Sequence, residues 1–385
     1  MTSHSASPRR PASPTTHRPL PVVDDSIAST AVIDTPISVL MTVRNGARHL
    51  DVAVESLLRQ SFRNIQIVVV DDASTDRTPE ILNSTRDSRL ELVRSDIPLG
   101  IAAAKTIGLE RCVGKYIAMM DADDVAVPTR LAVQKRYLDE RPAIGLVGSN
   151  VVVVDDVGKP LGIRMLPKGS PTVRWKLLIG PPFVHPSVMI RRELLGSTSY
   201  RSDYEFAQDY DLWSRLLCLA EGANISRPLL LYRSHPGQHS QEARTAQLAE
   251  HDVIAPRVVM QHLPDLDLPA AVVRRMWRFM SGVAQDDMAL GQVGVAYLRM
   301  ARAFLNKHEG TAEISEVRND VAMSVIRRFG PHLQQDDARA IFRELARMDS
   351  LAPIRCAGVI GSAVGVGIHS IRAVRLTRRR ARSPW

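Results

Sequence analysis

Three cysteines in 385 residues leave little thiol chemistry to consider. Cys112, Cys218 and Cys356 are odd in number and show neither metal-ligand nor redox spacing, which excludes a disulfide framework and fits a reducing compartment. Also missing is a continuous apolar stretch among the first residues, which are rich in Ser, Thr, Pro and Arg. That argues against a secretory signal and for a disordered leader over 1–35, so that the fold begins at Pro36. There is no internal repeat. The apolar, Gly-rich run from Cys356 to Ile368 is too short and too weakly hydrophobic to span a bilayer. The formal charge of +9 is concentrated near the C-terminus, where Arg372, Arg375, Arg378, Arg379, Arg380 and Arg382 crowd together, so it does not point to nucleic acid. Two readings of this 351–385 tail stand side by side: contact with an anionic membrane surface, or a solvated basic end after a packed helix.

What is present is an ordinary soluble composition, 45% hydrophobic and 24% charged, long enough for one large domain with an appendage. Ile37–Val43 reads as a buried strand ended by Asn45-Gly46. Leu50, Ala53, Val54, Leu57 and Leu58 follow at helical spacing. The β-branched run from Ile65 to Val70 suits a parallel strand covered on both faces and ends in Asp71-Asp72. Thr78-Pro79-Glu80 predicts an N-cap, a proline in the first turn and an acid beside it. A short strand from Leu90, a helix over 102–112 and a strand from Tyr116 to Met120 continue the alternation. A helix from Pro128 and a hairpin of Ile144–Val154 with Leu161–Leu166 come next.

This order predicts an α/β fold with a mainly parallel sheet that becomes mixed, and ligands beyond the carboxyl ends of its strands. From Ala243 the pattern is helical. It divides the chain into a domain over 36–244, a helical appendage over 245–350 and the tail. Val272, Val273, Met276, Trp277, Met280, Ala296, Met300, Ala303 and Phe304 read as core, and Asp286-Asp287 as a solvated helix face.

Asp121-Ala122-Asp123-Asp124 stands at the end of the Tyr116 strand. Carboxylates this close repel, and hard oxygen ligands in small number suit Mg²⁺ or Mn²⁺ held jointly with a diphosphate. An acidic turn between strand and helix is the plainer reading of the cluster alone.

Taken in order, the end of the first strand at Asn45, Asp71-Asp72-Ala73-Ser74-Thr75-Asp76, Leu99-Gly100 through Lys105, and Met120 through Asp124 resemble family 2 glycosyltransferases of the GT-A fold. The likeness continues in His185-Pro186-Ser187-Val188-Met189, Asp209-Tyr210-Asp211-Leu212-Trp213 and Tyr232-Arg233-Ser234-His235-Pro236-Gly237, so it covers about 36–240. The resemblance implies an inverting transfer from a nucleoside-diphosphate sugar, UDP-linked, to a hydroxyl of a glycan, lipid-linked or small-molecule acceptor. It implies Asp209 as general base, and Thr42, Asn45, Asp72, Lys105 and Asp121 at the nucleotide sugar, with Asp72 on the base imide. Asp121, Asp123 and His235 fall at the Mg²⁺ or Mn²⁺, and His185, Gln208 and Trp213 toward an acceptor pocket. A cytoplasmic protein, peripheral at the inner membrane face, would fit.

Departures from the family pattern are informative. Thr42-Val43-Arg44-Asn45 lacks the usual aromatic of the first loop, which opens the choice of nucleotide. Lys105 stands where arginine is frequent and loses its bidentate fork. Gln208 replaces the acid expected before the base. These departures motivate a second reading, a nucleotide-sugar-binding protein impaired in catalysis. A receiver-like signalling domain, with Asp71-Asp72 on Mg²⁺, is a third. The loops near 164–184 and the helical appendage read as the parts that set donor sugar and acceptor.

Overall fold

The run Ile37-Ser38-Val39-Leu40-Met41-Thr42-Val43 forms strand β1 (Ile37–Val43), flanked in parallel by β2 (Ile65–Asp72) and β4 (Tyr116–Asp121), with β3 (Leu90–Ser95) parallel to β2. The computed structural model describes residues 36–196, 198–235, 243–283, 290–329 and 335–346. The leader, the tail with its arginines, Asp286-Asp287 and Pro236-Gly237 lie outside them.

Both faces of β1, β2 and β4 are covered, which is why these strands are mostly apolar, whereas β3 at the edge is half-exposed. On one face Ile37, Val39, Met41 and Val43 pack with Leu50, Ala53, Val54 and Leu57 of α1 (Leu50–Leu58), Leu82 of α2 (Thr78–Ser84), and Leu131 and Leu138 of α4 (Arg130–Asp139). On the other lies α3 (Ile101–Arg111). Gly108 lets it approach closely, since a Cβ there would stand 2.2 Å from Leu40 Cδ1 and 2.9 Å from Val70 Cγ2.

Among the described residues nine strands form one sheet, in the order β3-β2-β1-β4-β8-β6-β9-β5 with β7 paired to β6. Here β5 is Val125–Ala126, β6 Ile144–Val154, β7 Pro160–Arg164, β8 Met189–Arg191 and β9 Glu221–Arg233. The expected hairpin is β6–β7, with a bulge at Val153/Val154. The switch to a mixed sheet comes from β8, which runs antiparallel to both β4 and β6.

Two local expectations are corrected. Thr78 is the first residue of α2 rather than its N-cap: its N–H is taken by Asp76 Oδ1 at 2.9 Å, and its hydroxyl accepts the Gly46 N–H at 2.9 Å. The 164–184 segment is not all loop, because Ser170–Leu177 forms α5. Its buried residues Val173, Trp175 and Leu177 alternate like a strand, a consequence of being covered on two sides. The chain continues through α6 (Arg192–Leu195) and α7 (Gln208–Leu219).

From Arg244 onward the described elements are helical: α8 (Arg244–His262), α9 (Ala270–Met280), α10 (Leu290–Lys307), α11 (Ile314–Ser324) and α12 (Gln335–Ala346). Of the expected core stripe of α9, Val273, Met276, Trp277 and Met280 are buried, while Val272 at its edge is half-buried. Trp175 joins these helices to the rest. Its ring lies 5.6 Å from Tyr297 and 5.5 Å from Phe304, and its Nε1 donates to Asp320 at 2.9 Å. A second tie is Asp211 of α7, which is fully buried and ion-paired with Arg215, Arg257 and Arg201. Among the described residues no helix is long and apolar enough to cross a membrane.

Candidate active site

Parallel register sets the site. Val43 lies opposite Asp71, and Thr42 opposite both Val70 and Asp121, so three strand ends deliver their side chains to one rim. The turn after β1 is laced to the turn after β2. Asn45 donates its N–H to Ser74 Oγ at 2.9 Å and accepts the Thr75 N–H on Oδ1 at 2.8 Å. Both Asn45 (φ 52°) and Ala73 (φ 55°) are left-handed. Asparagine tolerates this conformation, whereas for alanine it is strain of the kind found at functional rims. Asn45 is thus bound up in holding the loops together.

Asp72 is 5% exposed and accepts the N–H groups of Leu99 at 2.6 Å and Gly100 at 3.1 Å, fixing the entry to α3. Gly100 needs its glycine there, with φ at 85°. A carboxylate offers about four acceptor directions, so two remain for a ligand.

The acidic cluster sits at the end of β4. One carboxylate oxygen from each of Asp121, Asp123 and Asp124 lies within 4.8 Å of the others. Burial alone would push Asp121 up, but His185, Lys105 and Arg130 together hold it below the usual carboxylate range. Asp123 is pushed up by burial and the Asp121 charge, partly offset by His235, whose Nε2 stands 3.1 Å from Asp123 Oδ2. Burial, then Asp123 and Asp121, push Asp124 well above its ordinary value.

Asp124 is 1% exposed. Its Oδ1 accepts the Arg233 N–H at 2.8 Å, while its buried Oδ2 has no hydrogen-bond partner. Behind the cluster Arg130 is fully buried, donating to Met119 O at 2.7 Å, and burial draws its pKa down to about 10. Mutual repulsion and an orphaned carboxylate oxygen are both relieved by a hard divalent cation, so these residues fit one.

Lys105 is buried and donates from Nζ to His185 Nε2 at 3.2 Å, with the Tyr200 ring centroid 5.4 Å away. Burial lowers its pKa, and the charges of Asp121 and Asp209 oppose that shift. His185 lies in a single helical turn leading to β8. Its Nδ1 is 3.3 Å from Asp121 Oδ1, a close charge contact though poorly aligned as a hydrogen bond. The Tyr200 hydroxyl stands 3.1 Å from Nε2. Hydrogen on Nδ1 and a lone pair on Nε2 suit the carboxylate on one side and the ammonium on the other.

Asp209 occupies the first turn of α7, half-exposed, where the helix dipole favours a carboxylate. The segment before it is held from α8. Glu250 accepts the N–H groups of Glu205 at 2.9 Å, Phe206 at 2.9 Å and Ala207 at 2.7 Å. Gln208 is 6% exposed, and its Oε1 is buried without a partner.

Trp213, expected in the pocket, is instead fully buried. Its indole meets Phe183 edge-on at 5.9 Å and lies 6.0 Å from the His185 ring, so it supports His185 from behind and has no surface to offer an acceptor. Asp211 does not share the face of Asp209, being consumed by its arginines.

Sequence reasoning missed Tyr200, Arg130, Arg233 and Glu250. Arg233 could have been suspected from its place beside His235. The others sit in segments whose pattern carries no local sign of the site.

Comparison with known proteins agrees with this geometry. Residues 38–197 match the profile of Glycosyl transferase family 2. An uncharacterized glycosyltransferase of Haemophilus influenzae is 30% identical over 220 residues, 53% of this chain and 67% of that protein. The Escherichia coli UDP-Glc:alpha-D-GlcNAc-diphosphoundecaprenol beta-1,3-glucosyltransferase WfaP is 26% identical over 205 residues, 53% of this chain and 79% of its own length. The crystal structure of S. aureus TarS 1–349 with UDP-GlcNAc superposes with a TM-score of 0.50 at 17% identity, over 91% of this chain and 93% of that one, a likeness of fold. The chain belongs to glycosyl transferase family 2 and is a glycosyltransferase of the GT-A fold.

Proposed function

We propose that the protein is a divalent-metal-dependent, inverting glycosyltransferase that moves a sugar from a UDP-linked donor to a hydroxyl of a glycan or lipid-linked acceptor. The observation that carries this reading is the carboxylate cluster at the strand rim, where one oxygen from each of Asp121, Asp123 and Asp124 lies within 4.8 Å of the others and His235 Nε2 stands 3.1 Å from Asp123 Oδ2. The UDP-glucose donor and diphosphoundecaprenol-linked acceptor named for the E. coli relative support the choice of donor and acceptor class.

Asp209 takes the proton of the acceptor hydroxyl as its oxygen attacks the anomeric carbon from the face opposite the nucleotide. The bond from that carbon to the diphosphate oxygen breaks, its electron pair leaves with the nucleoside diphosphate, and the configuration inverts. Asp72 orients the base, with Thr42 and the Asn45 turn beside it. Lys105, 3.2 Å from His185 Nε2, would offset negative charge on the departing diphosphate. A Mg²⁺ or Mn²⁺ ion held by Asp121, Asp123 and His235, with Asp124 Oδ2 adjacent, would stabilise charge on the departing diphosphate.

The transferase domain spans 36–244 and the helical appendage 245–350 in this reading. In this reading the basic tail adds electrostatic attraction to an anionic membrane, which supports a peripheral contact at the cytoplasmic face.

A screen of nucleotide sugars for slow hydrolysis tests the proposal. UDP sugars should be turned over, and Asp209→Asn should lower the rate by about 10²–10⁴-fold while UDP binding persists. Unchanged hydrolysis in that variant would refute the assigned base. Binding of UDP sugars without any turnover would favour the impaired-catalysis reading that Gln208 motivates.

A further inference from the structure

We propose that the β6–β7 hairpin is a lipid-docking element that seats the protein on an anionic bilayer surface. All five residues of β7 are exposed. Leu161, Ile163 and Met165 fall at alternate positions and so share one face, at 61%, 59% and 66% exposure, and Val157 at the tip is 85% exposed. Val152, opposite Ile163 in β6, extends the same face. Single exposed apolar residues are ordinary, but four on one projecting hairpin form a contact surface.

The exposed charges of this segment are cationic: Lys159 and Lys168 are exposed, and Arg164, on the opposite side of β7 by the same alternation, holds its guanidinium 5.5 Å from the Tyr232 ring. The two acids of the turn are engaged: Asp155 Oδ1 accepts the N–H groups of Val157 at 3.1 Å and Lys159 at 2.8 Å, and Asp156 pairs with Arg48 and with His49, the latter at 3.1 Å. An apolar ridge on a hairpin whose free charges are cationic complements lipid chains beneath anionic headgroups. Pro160 and Gly162 make β7 a poor template for edge pairing with a second copy.

The hairpin is also fastened to the active site. Arg233 donates from Nε to Asp123 O at 2.8 Å, and from one terminal nitrogen to Asp155 O at 3.2 Å and Asp156 O at 2.8 Å. Docking by this ridge would hold the lipid surface on the segment that Arg233 ties to Asp123. The inference adds an apolar anchor to the membrane contact proposed for the tail, and it does not depend on the transferase assignment.

Flotation of the full chain with vesicles of phosphatidylglycerol and phosphatidylethanolamine tests it, at a salt concentration high enough to screen the tail. The triple variant Leu161→Ser, Ile163→Ser, Met165→Ser should lose about tenfold or more in vesicle partitioning, with UDP-sugar hydrolysis in vesicle-free solution unchanged. Ile163→Trp should strengthen partitioning. The proposal is overturned if the triple variant floats like the parent. It is equally overturned if only replacing the arginines at 372–382 by Gln releases the protein, or if the triple variant abolishes a dimer seen by light scattering.

Discussion

His185 stands between two charges, its Nδ1 3.3 Å from Asp121 Oδ1 and its Nε2 3.2 Å from Lys105 Nζ. The imidazole therefore joins the strand-end carboxylate to the buried ammonium, and Trp213 and Tyr200 fix its plane. Replacing His185 by Ala should lower kcat/KM by about 10–100-fold, the usual cost of losing a group that orients a metal-side ligand. His185→Asn can restore one of its two contacts and should fall between parent and Ala. Equal activity in all three proteins, measured by steady-state kinetics, would mean that His185 has no positioning role.

Glu250 extends the argument to the helical region. Its carboxylate accepts three consecutive backbone N–H groups just ahead of Asp209, so α8 holds the end of α7 that carries the proposed base. Glu250→Ala should reduce kcat about tenfold with little change in donor KM and cost about 1–3 kcal/mol of stability. Glu250→Gln, which keeps one acceptor oxygen, should recover part of both.

Asp211 is a structural counterpart. Its fully buried carboxylate meets Arg215 and Arg257, the latter from α8. Asp211→Ala leaves those guanidinium groups without their partner and should destabilise the protein by roughly 3 kcal/mol in denaturant titration.

Asp124 predicts a pH dependence. Burial and the neighbouring acids raise its pKa well above the ordinary 3.8. In the absence of divalent cations the native state therefore holds a proton that the unfolded chain releases above pH 3.8, so this group's contribution to stability falls as pH rises from there toward its raised value. Asp124→Asn keeps an oxygen for the Arg233 N–H and carries no charge. With EDTA present, thermal melts from pH 4 to 7 should show the variant gaining on the parent as pH rises. Parallel curves would remove the basis for that raised pKa.

The strands from Ile37 to Met120 and their parallel character were legible because most of the apolar runs are closed by acids or Asn-Gly, and parallel pairing places those closures together. The cluster at Asp121 could be found for the same reason. The place of β8 could not, since Met189–Arg191 is three residues long and its antiparallel neighbours are distant in sequence. The helix α5 was hidden by the alternation of Val173, Trp175 and Leu177, which reports burial against both β9 and the C-terminal helices. The role of Trp213 was misjudged because a helical aromatic near a motif gives no sign of whether its ring faces solvent or core. Tyr200 lies in an irregular stretch where no periodicity marks a functional side chain.

The central claim is that the Asp121-Asp123-Asp124 cluster binds a divalent cation together with a nucleoside diphosphate. Calorimetric titration of UDP with and without Mn²⁺, in the parent and in Asp123→Ala, addresses it most directly. The predicted result is that Mn²⁺ strengthens UDP binding by about tenfold or more, equivalent to about 1.4 kcal/mol or more, and that Asp123→Ala abolishes the gain. UDP affinity that is the same with and without Mn²⁺ in the parent protein would contradict the account.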